Sequence, residues 1–475
     1  MFPLYIKDTL EKLNNANYEA YVVGGCVRDI LMKKTPNDWD ITTNATPEEI
    51  IEVFDNAKYE NEFGTVLVPI KEKEELIDVL EITTYRSEKG YSDNRRPDEV
   101  KFETDLEKDL ERRDFTINAL AMNKEEEIID LFGGLKDINK KIIRAVGEPM
   151  ERFKEDALRL LRAIRLSAQL DFAIENKTER AILKMAGSVK FVSQERIRDE
   201  LIKMLKTDNG DLAIKRLHDN KILQYILPEI EAGVNVSQNH HHIYTVFEHS
   251  WRALAHCPSS DWRVKLAALL HDVGKPKSKK IIKGESTFYN HEYIGAKMTD
   301  KILKRLRFKN EDREKIVNLV KNHMFYYNVG EVSASSVRRL IKKVGQDNLK
   351  DLIDLRIADR LGSGTPKAKP YKLRHLEYMM EKVQHDPVSV KSLKINGNDL
   401  MKELKLDPSP KIGAILEVLL AEVIEEPKLN EYKVLLKRAK ELQNDNLEDL
   451  RKQAKDLIEE ENIKEDKKIK KQYYV

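Results

Sequence analysis

Two aspartates two residues apart, Asp38 and Asp40, follow a glycine pair, Gly24-Gly25, and an arginine, Arg28, within residues 21–41, which read YVVGGCVRDILMKKTPNDWDI. Neighbouring carboxylates repel one another unless a cation lies between them, and hard oxygen ligands beside a phosphate suit Mg²⁺. The glycine pair lets backbone approach a ligand closely, and exposed amides at a helix start would favour an anion. Arg28 adds a planar guanidinium fork for phosphate oxygens. The set points to metal-assisted phosphoryl or nucleotidyl transfer. Each piece alone is ordinary, a turn or a solvated loop edge; their order and close spacing make them a constellation.

These side chains need a scaffold, and the flanking sequence supplies one. Tyr21-Val22-Val23 is an apolar run that predicts a buried strand ending at the glycines. A strand over residues 38–41 would put Asp38 and Asp40 on one face and send Trp39 and Ile41 into the core. Residues 4–15 have helical periodicity, and Thr46 and Pro47 predict a helix start as cap and first helical residue. Further strands are expected at residues 65–70, 76–85 and 100–103. Glu81, in EITTYR, is either a third carboxylate beside Asp38 and Asp40 or a solvent-facing strand residue. Residues 87–96, SEKGYSDNRR, are too polar for core and predict a long mobile loop. In DLERRDFTINALAM, Arg112, Arg113 and Asp114 interrupt the apolar pattern of Phe115, Ile117, Ala119 and Leu120, and Asp114 is placed to cap the next turn.

Residues 151–168, ERFKEDALRLLRAIRLSA, predict one amphipathic helix. Ala157, Leu160, Leu161, Ile164 and Ala168 share its apolar face, and Asp156, Arg159, Arg162 and Arg165 wind along the other. A spacing of three sets Asp156 beside Arg159, and in isolation this would be a solvated row of ion pairs. Residues 193–205, SQERIRDELIKML, form a second such helix with Ser193 as its cap. From residue 240 onward histidines accumulate on apolar helices: His249, the pair His271-Asp272 in HDVGK, His291, His323 and finally Asp359. Mixed imidazole and carboxylate groups suit transition metals, which lower the pKa of bound water.

The strings GGCVRD and DWDI resemble the nucleotidyltransferase superfamily of CCA-adding tRNA nucleotidyltransferases and bacterial poly(A) polymerases. RRDFTINA resembles the family segment that holds the incoming nucleotide, and Glu155-Asp156-x-x-Arg159 its EDxxR motif. SQERIRDELIKML resembles its last shared motif, which packs the neck. INGNDL at 395–400 and PKIGAIL at 410–416 look like the tail of bacterial enzymes carrying an HD domain. The resemblance covers nearly the whole chain and is closest to the bacterial class II CCA-adding enzymes. It implies an α+β fold: a head with a small mixed sheet, followed by all-α neck, body, HD and tail domains. The expected divisions are 1–145 head, 146–206 neck, 207–240 body connection, 241–385 HD domain, 386–445 tail and 446–475 charged helix.

The same resemblance implies the roles. Asp38 and Asp40 would hold two Mg²⁺ ions, with Glu81 as their neighbour. Gly24, Gly25, Arg28, Arg113 and Asp114 would contact the nucleotide, Asp114 near the ribose. Asp156 and Arg159 would read the Watson-Crick edges of cytosine and adenine, with Arg162 and Arg165 supporting triphosphate or base. A carboxylate accepts from the exocyclic amine that C and A share, whereas U and G present a carbonyl there. The partners implied are tRNA, CTP and ATP. The histidine set resembles the HD metal-dependent phosphohydrolases, with His249, His271, Asp272 and Asp359 as ligands and His291 and His323 as further ones for Mn²⁺, Ni²⁺ or Zn²⁺; Lys275 would neutralise phosphate. Rivals are a CC-only or A-only adding enzyme, a poly(A) polymerase, or an HD phosphohydrolase as the main activity. CC-only relatives have a shortened loop where residues 87–96 are long here.

At 475 residues the chain suggests three or more domains. With 84 Lys plus Arg against 82 Asp plus Glu, the net charge of +2 gives no global pull on nucleic acid, so any RNA surface must be a local patch. Cys26 and Cys257 stand far apart without metal-type spacing, which fits a reducing cytosol. No signal peptide and no run of about 20 apolar residues is present, so the expectation is a cytoplasmic protein without a membrane partner. Oligomeric state is left open by the sequence.

Overall fold

The strand that leads into the glycine pair, β1 (Ala20–Val23), lies inside a seven-stranded sheet in the computed structural model, which describes residues 2–61, 64–72, 75–89, 99–238, 243–384, 390, 393–452 and 470–474. The other strands of that sheet are β2 (Asp40–Thr43), β3 (Lys58–Asn61), β4 (Thr65–Glu72), β5 (Glu75–Thr84), β8 (Ala121–Met122) and β9 (Ile128–Ile129), in the order β3-β4-β5-β2-β1-β8-β9. All neighbours are antiparallel except β2 and β5, whose parallel register sets Asp40 directly opposite Glu81. Between β5 and β8, β6 (Arg86–Lys89) and β7 (Glu99–Phe102) form a separate antiparallel pair. The sequence reading made Ser87 the start of a loop. Ser87 instead pairs with Lys101 and donates to Glu103 at 2.7 Å, because backbone pairing needs no apolar alternation. Glu88 and Lys89 continue this strand, and the rest of the expected loop, residues 90–96, lies outside the described residues.

Helix α1 (Leu4–Asn15) covers one face of the sheet, burying Ile6, Leu10 and Leu13 against Val22, Ile41, Val66, Leu80 and Ile82. Each such side chain contributes roughly 1.5–3 kcal/mol of burial. Next come α2 (Gly25–Leu31) and α3 (Pro47–Val53), the latter begun by a Thr46–Glu49 capping box with Pro47 at its first position. On the opposite side, α4 (Leu106–Glu111) buries Leu106 and Leu110 against Val23, Tyr85 and Ala121. Helix α5 (Gly134–Lys140) leads out of the head.

The helical part begins with α6 (Pro149–Glu155) and α7 (Leu158–Leu170). The single helix expected over residues 151–168 is thus two. Asp156 takes an extended conformation (φ −144°, ψ 108°) and its carboxylate accepts from the Leu158 amide at 2.9 Å, so it starts a helix instead of continuing one. The expected apolar face is buried: Ala157, Leu160, Leu161, Ile164 and Ala168 are each at most 1% exposed. There follow α8 (Asn176–Met185), α9 (Gln194–Lys206), α10 (Gly210–Asp219), α11 (Leu223–Ile226) and α12 (Pro228–Glu231). The histidine region is built from α13 (Val246–Ala255), α14 (Trp262–Leu270), α15 (Lys275–Ser278), α16 (His291–Arg305) and α17 (Asn310–Asn322). Small β features also occur where only helices were expected: Ala173–Ile174 pairs in parallel with Ile142–Ile143 of the head, and Lys280–Ile282 forms a hairpin with Glu285–Thr287.

The chain divides into two compact units, Met1–His323 with Asp351–Pro366, and Met324–Lys350 with Lys367–Val475. The last helices are α18 (Ala334–Val344), α19 (Leu349–Gly362), α20 (Tyr371–Gln384), α21 (Gly397–Leu404), α22 (Pro410–Glu425) and α23 (Tyr432–Leu442). The second unit has its own core, in which Ile395, Leu400, Ile415, Val418 and Leu435 are buried together. Of the expected charged C-terminal helix, residues 453–469 and 475 lie outside the described residues. None of the described helices is long and apolar enough to cross a membrane.

Candidate active site and metal centre

A cavity of about 440 Å³ opens where β1 meets α2 and the head meets α7. Gly24, Gly25, Arg28, Asp40, Arg113, Asp114, Asp156, Arg159, Arg162 and Arg165 line it, together with Asn118 and Arg196, which sequence reasoning did not single out. The volume falls in the range of small-molecule sites. Gly24 has φ +82°, and a Cβ there would lie 2.9 Å from Arg113 Nη1 and 3.5 Å from Asp40 Oδ2. The positive φ favours glycine here, and an added Cβ would also have to displace the end of the Arg113 side chain. Arg28 and Arg113 bring positive charge to the cavity beside the glycines.

A chain of hydrogen bonds crosses the cavity wall. Arg28 Nη1 donates to Asn118 Oδ1 at 2.7 Å, Asn118 Nδ2 donates to Asp114 Oδ1 at 3.1 Å, and Arg162 Nε donates to Asp114 Oδ2 at 2.6 Å. Asp114 also accepts from the Phe115 amide, the local role its sequence position suggested. Burial alone would raise its pKa, but the Arg162 guanidinium and Asn118 hold Asp114 down to about 2. Arg112 and Arg113 both donate to the fully buried Asp109, which sets their direction.

The expected pairing of Asp156 with Arg159 does not form. Because the helix breaks at Asp156, spacing of three no longer brings the two together. Arg159 donates to Glu155 at 2.6 Å and to the carbonyls of Arg152 and Arg112, while Arg196 grips Asp156 with both Nη atoms at 3.1 and 2.6 Å. Arg165 pairs with buried Glu200 at 2.7 Å. Asn118 carries a signal, a polar residue inside an apolar run; Arg196 lies within the string SQERIRDELIKML, but nothing local ties it to Asp156, forty positions away.

The acids divide. Asp40 and Glu81 stand opposite one another across the β2–β5 ladder, whereas Asp38 precedes the strand in an exposed bend and does not line the cavity. Trp39 and Ile41 are buried as expected, Trp39 edge-on against Phe2. Burial and the neighbouring Asp38 raise the pKa of Asp40 against the pull of Arg113. Burial, Asp40, Glu60 and Asp38 raise that of Glu81. Crowded anions with raised pKa values are the donor set a hard divalent cation relieves.

The histidines converge more tightly. His249 is on α13, His271 and Asp272 follow α14, His291 opens α16, His323 follows α17 and Asp359 is on α19; all are at most 9% exposed. His249-His271-Asp272 and Asp272-His291-His323 are the groups of three or more potential ligands with atoms within 4.8 Å among the described residues. The Nδ1 atoms of His271, His291 and His323 lie 2.7, 2.8 and 2.7 Å from the carbonyls of Ala268, Phe288 and Val320. A carbonyl only accepts, so each Nδ1 carries a proton, and each ring in its neutral form presents a lone pair at Nε2. Yet Nε2 of His249 and His271 are 2.9 Å apart, those of His291 and His323 3.3 Å, and Asp272 oxygens lie 3.2 to 3.3 Å from three of them. Asp359 Oδ1 is 3.3 Å from His249 Nε2. Acceptors aimed at one another in a buried pocket fit a divalent metal between them. Lys275, expected to await phosphate, is paired with Asp272 at 2.6 Å and donates to Gln238.

Three family models match the chain: the Poly A polymerase head domain over residues 20–144, the probable RNA and SrmB-binding site of polymerase A over 171–233, and the HD domain over 246–363. The head and HD models imply divalent metal use. A CCA-adding enzyme of Lactobacillus delbrueckii subsp. bulgaricus is 50% identical over 207 residues, 43% of this chain, and the match spans about half (51%) of that relative's length. A CCA-adding enzyme of Enterococcus faecalis is 33% identical over 437 residues, 91% of this chain and 94% of the relative. Among solved structures, the CCA-adding enzyme of Bacillus stearothermophilus in complex with CTP superposes with a TM-score of 0.61 at 25% identity, covering 93% of this chain and 98% of that one.

Proposed function

Because the chain belongs to the CCA-adding enzyme family, we propose that it adds C, C and A to the 3′ end of tRNA from CTP and ATP without a nucleic-acid template, releasing pyrophosphate. The observation that carries this is the single cavity wall in which Gly24, Arg28, Asp40 and Arg113 of the head face Asp156, Arg159 and Arg162 of the neck. Phosphate chemistry and base recognition thus share one space. Gly24 and Gly25 admit the triphosphate, and Arg28 and Arg113 balance its charge. Asp156 accepts from the exocyclic amine of C or A, and Arg159, held in place by Glu155 and two carbonyls, donates to the neighbouring ring atom. Arg162 and Arg165 support the nucleotide from their ion pairs with Asp114 and Glu200. Asp38, Asp40 and Glu81 would hold Mg²⁺, two ions in this reading, which when bound supply Lewis acidity for the attacking 3′-hydroxyl and the triphosphate.

The assigned divisions are head 1–145, neck 146–206, connection 207–240, HD domain 241–385, tail 386–445 and terminal helix 446–475, and the cytoplasm is the expected compartment. The buried histidine cluster favours an accessory phosphohydrolase activity with Mn²⁺, Ni²⁺ or Zn²⁺. Incubating the protein with tRNA lacking its 3′ end, with each nucleotide singly and all four together, followed by sequencing, should give CCA-terminated product. Stopping at CC, or a long A tail, would select a rival. Asp40→Ala should lower incorporation by roughly 10²-fold or more while tRNA binding persists.

A further inference from the structure

Asp156 can discriminate between bases only if its carboxylate is held in one orientation, and its own helix provides little to hold it. It sits between α6 and α7 in extended backbone, and its nearest sequence partner, Arg159, is committed elsewhere: Nη1 to Glu155 and the Arg152 carbonyl, Nη2 to the Arg112 carbonyl. We propose that Arg196 is the positioning residue for nucleotide choice, fixing Asp156 so that one lone-pair site faces the incoming base. The inference rests on the base-reading role of Asp156 given above.

A carboxylate offers about four acceptor sites. Here Oδ1 receives the Leu158 amide at 2.9 Å and Arg196 Nη1 at 3.1 Å, and Oδ2 receives Arg196 Nη2 at 2.6 Å. Among the described donors, three sites are thus taken, and the one remaining is on Oδ2. The planar guanidinium sets the plane of the carboxylate, which a single amide donor cannot do. Both side chains line the cavity and are only partly exposed, 24% for Arg196 and 16% for Asp156. Arg196 is itself held by α9, which buries Ile197, Leu201, Met204 and Leu205 and places Glu200 against Arg165 of α7. Helix α9 is therefore tied to this segment at two points, Arg196 to Asp156 just before α7 and Glu200 to Arg165 within it.

A purely structural role would dock α9 on α7 without affecting which base is chosen, and the test separates the two. On tRNA lacking its 3′ end, kcat/KM is measured for CTP and UTP, and on tRNA ending in CC for ATP and GTP, with the full-length protein, R196M and R196K; melting temperature monitors folding. R196M should lower the CTP-over-UTP and ATP-over-GTP ratios on the order of tenfold, and R196K, whose ammonium cannot span both oxygens, should give intermediate ratios. Ratios within about twofold of the unaltered protein in both variants, with all four nucleotides slowed alike, would overturn the inference. Should R196M not fold, R196K decides alone: a lowered ratio supports the role and an unchanged one overturns it. If the unaltered protein shows no preference among nucleotides, base reading by Asp156 itself fails, an outcome distinct from preserved selection in the variants.

Discussion

Replacing Asp114 by Asn removes the anion that joins the head to α7 while keeping an oxygen for the Phe115 amide and Asn118. The carboxylate is 8% exposed and held down from 3.8 to about 2, chiefly, against burial, by Arg162. That fall corresponds to about 2 kcal/mol of folding stability at neutral pH. Arg162 keeps a third of its side chain in solvent, so its charge is not stranded and the loss should stay below the 3–5 kcal/mol of a fully buried broken pair. Because the folded pKa lies below the unfolded one, the contribution is complete above about pH 4 and disappears as pH falls toward 2. Urea unfolding at pH 7 should therefore show D114N less stable by about 2 kcal/mol, and the gap should begin to close below about pH 4. The KM for CTP should rise as well, since Arg162 lines the cavity. A gap below about 0.5 kcal/mol at pH 7, or one unchanged as pH falls, would refute the reasoning.

Gly24→Ala should cost about 1–3 kcal/mol of backbone strain and push the Arg113 guanidinium, which the new Cβ would meet at 2.9 Å, out of its place, weakening CTP binding in titration calorimetry; unaltered affinity would contradict the tight fit. At the histidine centre, adding Mn²⁺, Ni²⁺ or Zn²⁺ to chelator-treated protein should raise the melting temperature, because a cation replaces facing lone pairs. His271→Ala should abolish that rise and lower the bound metal found by mass spectrometry; an equal rise in the variant would remove His271 from the ligand set.

What was legible in the sequence was local. The capping box at Thr46, the burial of Leu160, Leu161 and Ile164, and the burial of Trp39 and Ile41 all follow from neighbours a few residues away. That the marked head residues share a cavity and that the histidines cluster agrees with their residue types and spacing. The break at Asp156 did not, because ERFKEDALRLLRAIRLSA contains no glycine or proline and an aspartate inside a helix looks like any other polar residue. Placement of Glu81 opposite Asp40 depends on a parallel crossover pairing that no local pattern encodes. Arg86–Lys89 became a strand despite its charges. The grip of Arg196 on Asp156 needed two helices to be docked first. The carbonyls that fix the histidine tautomers lie three residues before each ring, yet a helix end must form before they can do so.

The break between α6 and α7 limits how nucleotide preference can be changed. Asp156 also starts a helix, so its replacement must still cap: Asn and Ser retain the start of α7 while altering the hydrogen-bonding pattern that faces the cavity, whereas Ala or Leu would cost about 0.5–2 kcal/mol at the turn that carries Arg159. Redesign toward other letters is thereby confined to short polar side chains, unless a second change elsewhere supplies the lost cap.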